Sequence, residues 1–225
     1  GREMLAGRDF HAVIVDQTVP NVSFTAPAIG EYIKGSKAIS GASSDPNGAG
    51  PAGVVDKVEL STNGGVTYTA ASGTNPWSIN LDTTAIPDGA RILYARAKDT
   101  TGLFGTASVP ITIDNTDPVV AITSHSGGEI VNGVLHLAGT ADDSVGLQKV
   151  DVSGLGGTQL ADGTNSWNYD FNTATIGNGL KTVVVRATDF AGNYKETTVN
   201  ITVDQNLPTV DTISLSNGAY LKGTV

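Results

Sequence analysis

The segment Leu93-Tyr94-Ala95-Arg96-Ala97-Lys98-Asp99 returns 90 residues later as Val183-Val184-Val185-Arg186-Ala187-Thr188-Asp189. In both copies the odd positions are small or apolar, which places them on one face of a strand, and Arg96 is expected to point to water from the other. The same spacing extends outward. Trp77-Ser78-Ile79-Asn80-Leu81 and Trp167-Asn168-Tyr169-Asp170-Phe171 each carry large apolar groups on one face, and Gly89 and Gly179 keep the interval of 90. Val109, Ile111 and Ile113 alternate with Pro110 and Thr112. Pro110 has no N–H for a ladder, so that strand is expected at an edge or a bulge. Val58/Leu60 and Val150/Val152 mark a further strand, and no segment sustains a helical period.

Three short segments punctuate the repeat: Val15-Asp16-Gln17-Thr18-Val19-Pro20, Ile113-Asp114-Asn115-Thr116-Asp117-Pro118 and Val203-Asp204-Gln205-Asn206-Leu207-Pro208. Asp16 to Asp114 is 98 residues and Asp114 to Asp204 is 90. The extra length of the first unit falls between Asp45 and Trp77, mostly in the loop-like stretch Pro46-Asn47-Gly48-Ala49-Gly50-Pro51. A fixed period of this size predicts tandem domains. The boundaries follow as residues 16–114 and 115–204, flanked by residues 1–15 as the last strand of a preceding repeat. Residues 205–225 are the start of another, since Tyr220-Leu221-Lys222-Gly223 matches Tyr32-Ile33-Lys34-Gly35. The chain is therefore expected to be a piece of a longer array.

About seven short strands per unit of roughly 90 residues, separated by Gly, Asn and Asp turns, predict an all-β fold of tandem immunoglobulin-like β-sandwiches. Of 225 residues 28 are Gly, in keeping with so many turns. The net charge of −9 opposes binding to nucleic acid or to an anionic membrane surface. There is no Cys, which removes thiol catalysis, thiolate zinc sites and disulfides together. No apolar run approaches the ~20 residues needed to span a bilayer.

The segments Ala97-Lys98-Asp99-Thr100-Thr101-Gly102 and Ala187-Thr188-Asp189-Phe190-Ala191-Gly192-Asn193, each followed by a strand and then Asp-x-x-x-Pro, resemble the bacterial Ig-like repeats of large surface and adhesin-type proteins. The first unit departs from that pattern, with Gly102-Leu103 where the second has Gly192-Asn193. The resemblance implies an extracellular or cell-surface location and a non-catalytic structural or adhesive spacer. Its partners would be other copies of the array, or a host or cell-surface glycan or protein. The alternatives are a module for carbohydrate binding or self-assembly, or an accessory segment of a secreted hydrolase.

An enzyme is not expected. His11, His125 and His136 have no partner His at metal-binding spacing, and Ser153-Gly154-Leu155-Gly156-Gly157 does not sit between a strand and a helix as a phosphate cradle must. Catalysis by the repeated carboxylates is disfavoured because an active site is rarely duplicated along an array. Those acids carry a metal reading instead. In a sandwich of this kind the incoming linker and the loops after the second and sixth strands share one end. At the second unit this gathers Asp114, Asn115 and Asp117 from the linker, Asp142 and Asp143 from one loop, and Asp189 from the other. At the first unit it gathers Asp16, Asp45 and Asp99, a smaller set. Hard oxygen donors from three loops suit Ca2+, which takes six to eight oxygens. The Asp-Asn-x-Asp-Pro linker also resembles, in shortened form, the calcium linkers of cadherins. The competing explanation is turn chemistry, because Asp and Asn side chains bond nearby backbone N–H groups. Tyr68, Tyr94, Phe104, Phe190 and Tyr194 are candidate sugar-stacking rings, weighed against a plain role in covering sheet edges and sandwich ends.

Overall fold

A computed structural model describes residues 16–46 and 54–209. The partial strands expected within residues 1–15 and 210–225 lie outside the described residues, as does His11.

The first unit contains β1 (Asn21–Ala26), β2 (Tyr32–Ile33), β3 (Ser36–Ser44), β4 (Val55–Ser61), β5 (Thr69–Ala70), β6 (Trp77–Asp82), β7 (Gly89–Asp99) and β8 (Phe104–Ile113). They form a three-stranded sheet, β1-β3-β6, facing a five-stranded sheet, β2-β8-β7-β4-β5. The second unit repeats this with β9 (Val119–Ile122), β10 (Glu129–Val131), β11 (Val134–Asp142), β12 (Leu147–Ser153), β13 (Gln159–Leu160), β14 (Ser166–Asn172), β15 (Gly179–Asp189) and β16 (Tyr194–Val203). Its sheets run β14-β11-β9 and β10-β16-β15-β12-β13. The strands pair antiparallel, except for the short parallel pairs β2–β8 and β10–β16 that start each five-stranded sheet. Pro110 stands opposite Ile92 in β7, and on its other side β2 pairs only with Thr112 and Ile113. β8 is therefore neither the sheet edge nor the bulge expected from the sequence; Pro110 is accommodated because the short β2 pairing stops before it, where its carbonyl accepts from the Gly30 N–H at 2.8 Å.

Period-two burial builds two separate cores. In β7, Leu93, Ala95 and Ala97 are fully buried, and in β15 Val183, Val185 and Ala187 are. Trp77 packs with Ile39, Leu93 and Val109, while Trp167 packs with Leu137, Val183 and Val199 in a distinct cluster. Arg96 does not simply project to water. Its guanidinium lies 3.8 Å from the centre of the Tyr68 ring and donates to Glu59 at 2.7 Å. Charge pairing and cation–π attraction hold it down over the outer face.

One glycine in each unit makes the tryptophan possible. Gly41 faces Trp77 across β3–β6, and Gly139 faces Trp167 across β11–β14. A Cβ on Gly139 would lie 2.3 Å from Trp167 Cζ2 and 2.0 Å from the Ala121 carbonyl oxygen. The indole therefore lies flat against bare backbone.

The turn entering β10 is fixed by Glu129. Its carboxylate meets His125 Nδ1 at 2.6 Å and accepts from the Ser126 N–H and hydroxyl at 2.9 Å. The His125 and Ser126 hydrogen bonds hold this carboxyl at about 2, well below its ordinary 4.5. A depressed carboxyl contributes stability above its unfolded value and loses it as pH falls through the folded value. The β10 turn is therefore expected to loosen as pH falls from roughly 4.5 towards 2. Amide chemical shifts of Ser126 should titrate near 2 in the native chain and lose that titration in Glu129→Gln.

Candidate metal centres

The linker between the units is clamped from both sides. Leaving β8, Asn115 folds back onto the first unit. Its side-chain oxygen accepts from the Gly35 N–H at 2.8 Å and the Thr83 hydroxyl at 3.0 Å, and its backbone N–H donates to Asp88 at 2.9 Å. Gln205 repeats the clamp in the second unit, donating from its side chain to the Thr173 hydroxyl at 2.7 Å and from its backbone to Asn178 at 2.9 Å. On the far side of the linker, Asn193 donates its amide to the Asp114 carbonyl at 2.9 Å and to Asp189 Oδ2 at 2.7 Å. Phe190 stacks on Tyr32 of the first unit, with ring centroids 5.1 Å apart and planes 29° apart. Pro118 is buried. Polar and apolar contacts thus fix both ends of a linker only a few residues long.

Two acidic triads sit at equivalent places in the repeat. Asp16, Asp45 and Asp99 form one, and Asp114, Asp143 and Asp189 the other, each offering oxygens within 4.8 Å of one another. In both, one acid comes from the linker, one from the residue just after β3 or β11, and one from the end of β7 or β15. Asp99, Asp114 and Asp189 are fully buried. Three carboxylates this close repel by of order 3 kcal/mol per pair at an effective dielectric near 20.

Local hydrogen bonds satisfy only part of each triad. Asp99 Oδ1 accepts from the Thr101, Gly102 and Leu103 N–H groups and the Thr101 hydroxyl, all at 2.7–2.9 Å. Asp16 Oδ1 accepts from the Thr18 N–H and hydroxyl, and Asp143 Oδ1 from the Val145 and Gly146 N–H groups. The turn explanation therefore accounts for one oxygen of each of these acids. It leaves Asp16 Oδ2, both oxygens of Asp45, Asp99 Oδ2, Asp114 Oδ2 and Asp143 Oδ2 buried without a hydrogen-bond partner. Buried polar atoms normally find partners, and charged ones most of all.

The electrostatics agree. Burial, then Asp143 and Asp189, push the Asp114 carboxyl up to about 6. Burial, then Asp16 and Asp99, raise Asp45. Burial also pushes Asp99 upward, but its hydrogen bonds to Thr101, Leu103 and Gly102 outweigh that and hold it low. Two oxygens bound to one Ca2+ at about 2.3–2.6 Å each can be at most about 5.2 Å apart, so a 4.8 Å spread fits one ion.

Three expected ligands lie elsewhere. Asn115 is engaged with Gly35, Thr83 and Asp88. Asp117 is exposed. Asp142, the last residue of β11, is exposed and accepts from the Asn165 side chain at 3.2 Å. Among the candidate sugar-stacking rings, Tyr68 and Phe104 both lie under Arg96, Tyr194 lies under Arg186, and Phe190 stacks on Tyr32. His125 and His136 pair with Glu129 and Asp170.

With this geometry in place, the sequence families decide the lineage. The family described as bacterial Ig domain matches residues 20–95 and 118–185, one stretch in each sandwich. The chain belongs to the bacterial Ig-domain family. A bacterial Ig-like domain of group 3 also matches residues 165–225. No curated protein matches the chain. Among solved structures, the fibronectin(III)-like modules of Clostridium thermocellum CbhA are 23% identical, covering 82% of this chain and 95% of theirs, with a TM-score of 0.51. A 1.5-MDa bacterial ice-binding adhesin is 20% identical over 84% of this chain and 66% of its own, with a TM-score of 0.38. A tetra-tandem repeat from the extending region of a large adhesion protein is 21% identical over 83% and 49%, with a TM-score of 0.32. The first of these shares the fold of this bacterial Ig-domain chain. Among the described residues, no helix is long and apolar enough to cross a membrane.

Proposed function

We propose that this chain is a stiff spacer in a bacterial surface protein, a structural and adhesive element whose junctions are locked by Ca2+. The reading rests on one observation: buried carboxylate oxygens without partners converge at the same place in both units, where a linker enters a sandwich. A spacer transmits force and sets distance only if its joints resist bending. Asn115, Asn193 and the Tyr32–Phe190 stack already restrict this joint. A cation at each triad would turn carboxylate repulsion into attraction and tie linker to sandwich. The net charge of −9 keeps neighbouring arrays apart in solution, consistent with an extracellular setting.

The test is thermal melting and small-angle scattering with EDTA and with millimolar Ca2+, on the native chain and on Asp45→Asn/Asp143→Asn. Binding to the folded form alone stabilises by about 2.7 kcal/mol when calcium is a hundredfold above Kd. The native chain should melt higher and scatter as a stiffer particle with calcium, and the double variant should not respond. Identical curves in EDTA and calcium would leave these carboxylates as turn residues.

A further inference from the structure

Although the triads occupy equivalent positions, their surroundings differ, most directly at one side chain. At Asp189, the side chain of Asn193 donates to Oδ2 while also bonding the linker carbonyl of Asp114. Leu103 stands in the corresponding place beside Asp99 and offers only its backbone N–H. Asp16, Asp45 and Asp99 leave four buried oxygens unpartnered, whereas Asp114, Asp143 and Asp189 leave two; Asn193 accounts for one of the two extra oxygens satisfied, and the Val145 and Gly146 N–H groups on Asp143 Oδ1 account for the other. Thr100 also replaces Phe190, so the aromatic half of the Tyr32–Phe190 stack has no counterpart in the first unit.

We infer that the two sites are unequal: Asn193 is a positioning residue whose amide replaces part of a cation's work. The joint between the sandwiches is then partly held without metal and calcium completes its closure, while the triad of Asp16, Asp45 and Asp99 carries the tighter, more cation-dependent site. This inference rests on the calcium reading above. The physical basis is competition. An amide N–H on Asp189 supplies partial positive charge where the ion would sit, and binding must displace or share it. The first triad has no such side-chain donor at Leu103, so an ion meets less competition there. Four free oxygens also bring that site nearer the coordination number Ca2+ requires, with water completing the shell. A charge-assisted hydrogen bond is strong enough to change affinity by at least about tenfold.

The experiment is a Ca2+ titration of the whole, metal-stripped chain followed by amide NMR. Gly102 and Leu103 report one site, and Gly192 and Asn193 the other. The Gly102 and Leu103 signals should saturate at calcium at least about tenfold lower than those of Gly192 and Asn193. In Asn193→Leu, which installs the residue the first unit tolerates, the two midpoints should converge, and scattering in EDTA should show a more open joint. In Leu103→Asn the first site should weaken towards the second, so the prediction stands even if one variant folds poorly. Equal midpoints in the native chain, or an unchanged order in both variants, would overturn the inequality while the calcium reading survives. No response at either loop would overturn the calcium reading and this inference with it.

Discussion

Replacing Trp167 with alanine should lower the stability of the second sandwich by about 3–5 kcal/mol and leave the first sandwich's transition in place. The indole is 1% exposed and packs among Leu135, Leu137, Val183 and Val185 in a core separate from that of Trp77. Truncation removes the largest apolar surface of a small core, and the flanking strands, held in register by β11–β14 pairing, cannot collapse to refill it. Trp77→Ala should do the same to the first unit, and the two effects should add because the cores do not touch. Gly139→Ala should be comparably severe from the opposite direction. Its new Cβ would meet both Trp167 Cζ2 and the Ala121 carbonyl, and backbone cannot rotate aside as a side-chain tip can. Trp→Phe should be milder than alanine at either site, since the indole Nε1 of both tryptophans is buried without a partner and phenylalanine removes that unsatisfied donor. Denaturant unfolding followed by far-ultraviolet circular dichroism reads both transitions, and the fluorescence of the remaining indole assigns one of them to the unaltered unit. A coupled loss of both transitions would contradict independent cores.

The repeat carried most of the fold. Alternation at 93–97 and 183–187 fixed which residues face inward, and Pro110 marked a strand that one neighbour covers only in part. What the pattern could not specify was side-chain direction at strand ends. Asp142 and Asp143 are adjacent acids, but successive residues of an extended chain point to opposite sides. One alone can reach the junction, and it is Asp143. Asn115 and Asp117 had suitable chemistry, but Asn115 is drawn back by Gly35 and Thr83, contacts some 32–80 residues away in sequence. Arg96 was expected in solvent, yet a ring brought over by the β4–β5 connection covers it. Asn193 was visible only as a mismatch with Leu103. Such departures between otherwise matched repeats are the sequence signal that locates unequal joints, and the pairing of Asp189 with the linker gives that mismatch its physical meaning.

Asp99 combines a turn-forming oxygen and an unpartnered one within a single carboxylate. Oδ1 accepts four hydrogen bonds from the turn at Thr101–Leu103, whereas Oδ2 is buried and unpartnered beside Asp16 and Asp45. Asp99→Ala should destabilise the first sandwich by about 3–5 kcal/mol in any buffer, because three backbone N–H groups lose their acceptor at once and each orphaned group costs about 1–3 kcal/mol if it stays buried. Asp99→Asn should behave in the opposite sense without calcium. Its side-chain oxygen keeps the turn, and its amide takes the position of Oδ2 as a donor facing two carboxylates. One negative charge is removed from a triad whose members repel. The EDTA melting temperature should therefore rise, by about 4–8 °C for each kcal/mol relieved in a domain of this size. Added calcium should then yield no further gain, since the site has lost an anionic ligand and acquired a donor that repels a cation. The measurement is a pair of melts, in EDTA and in calcium, for both variants. If Asp99→Asn melts below the native chain in EDTA, Oδ2 is not a repelled oxygen awaiting an ion, and the triad holds the linker by contacts of another kind.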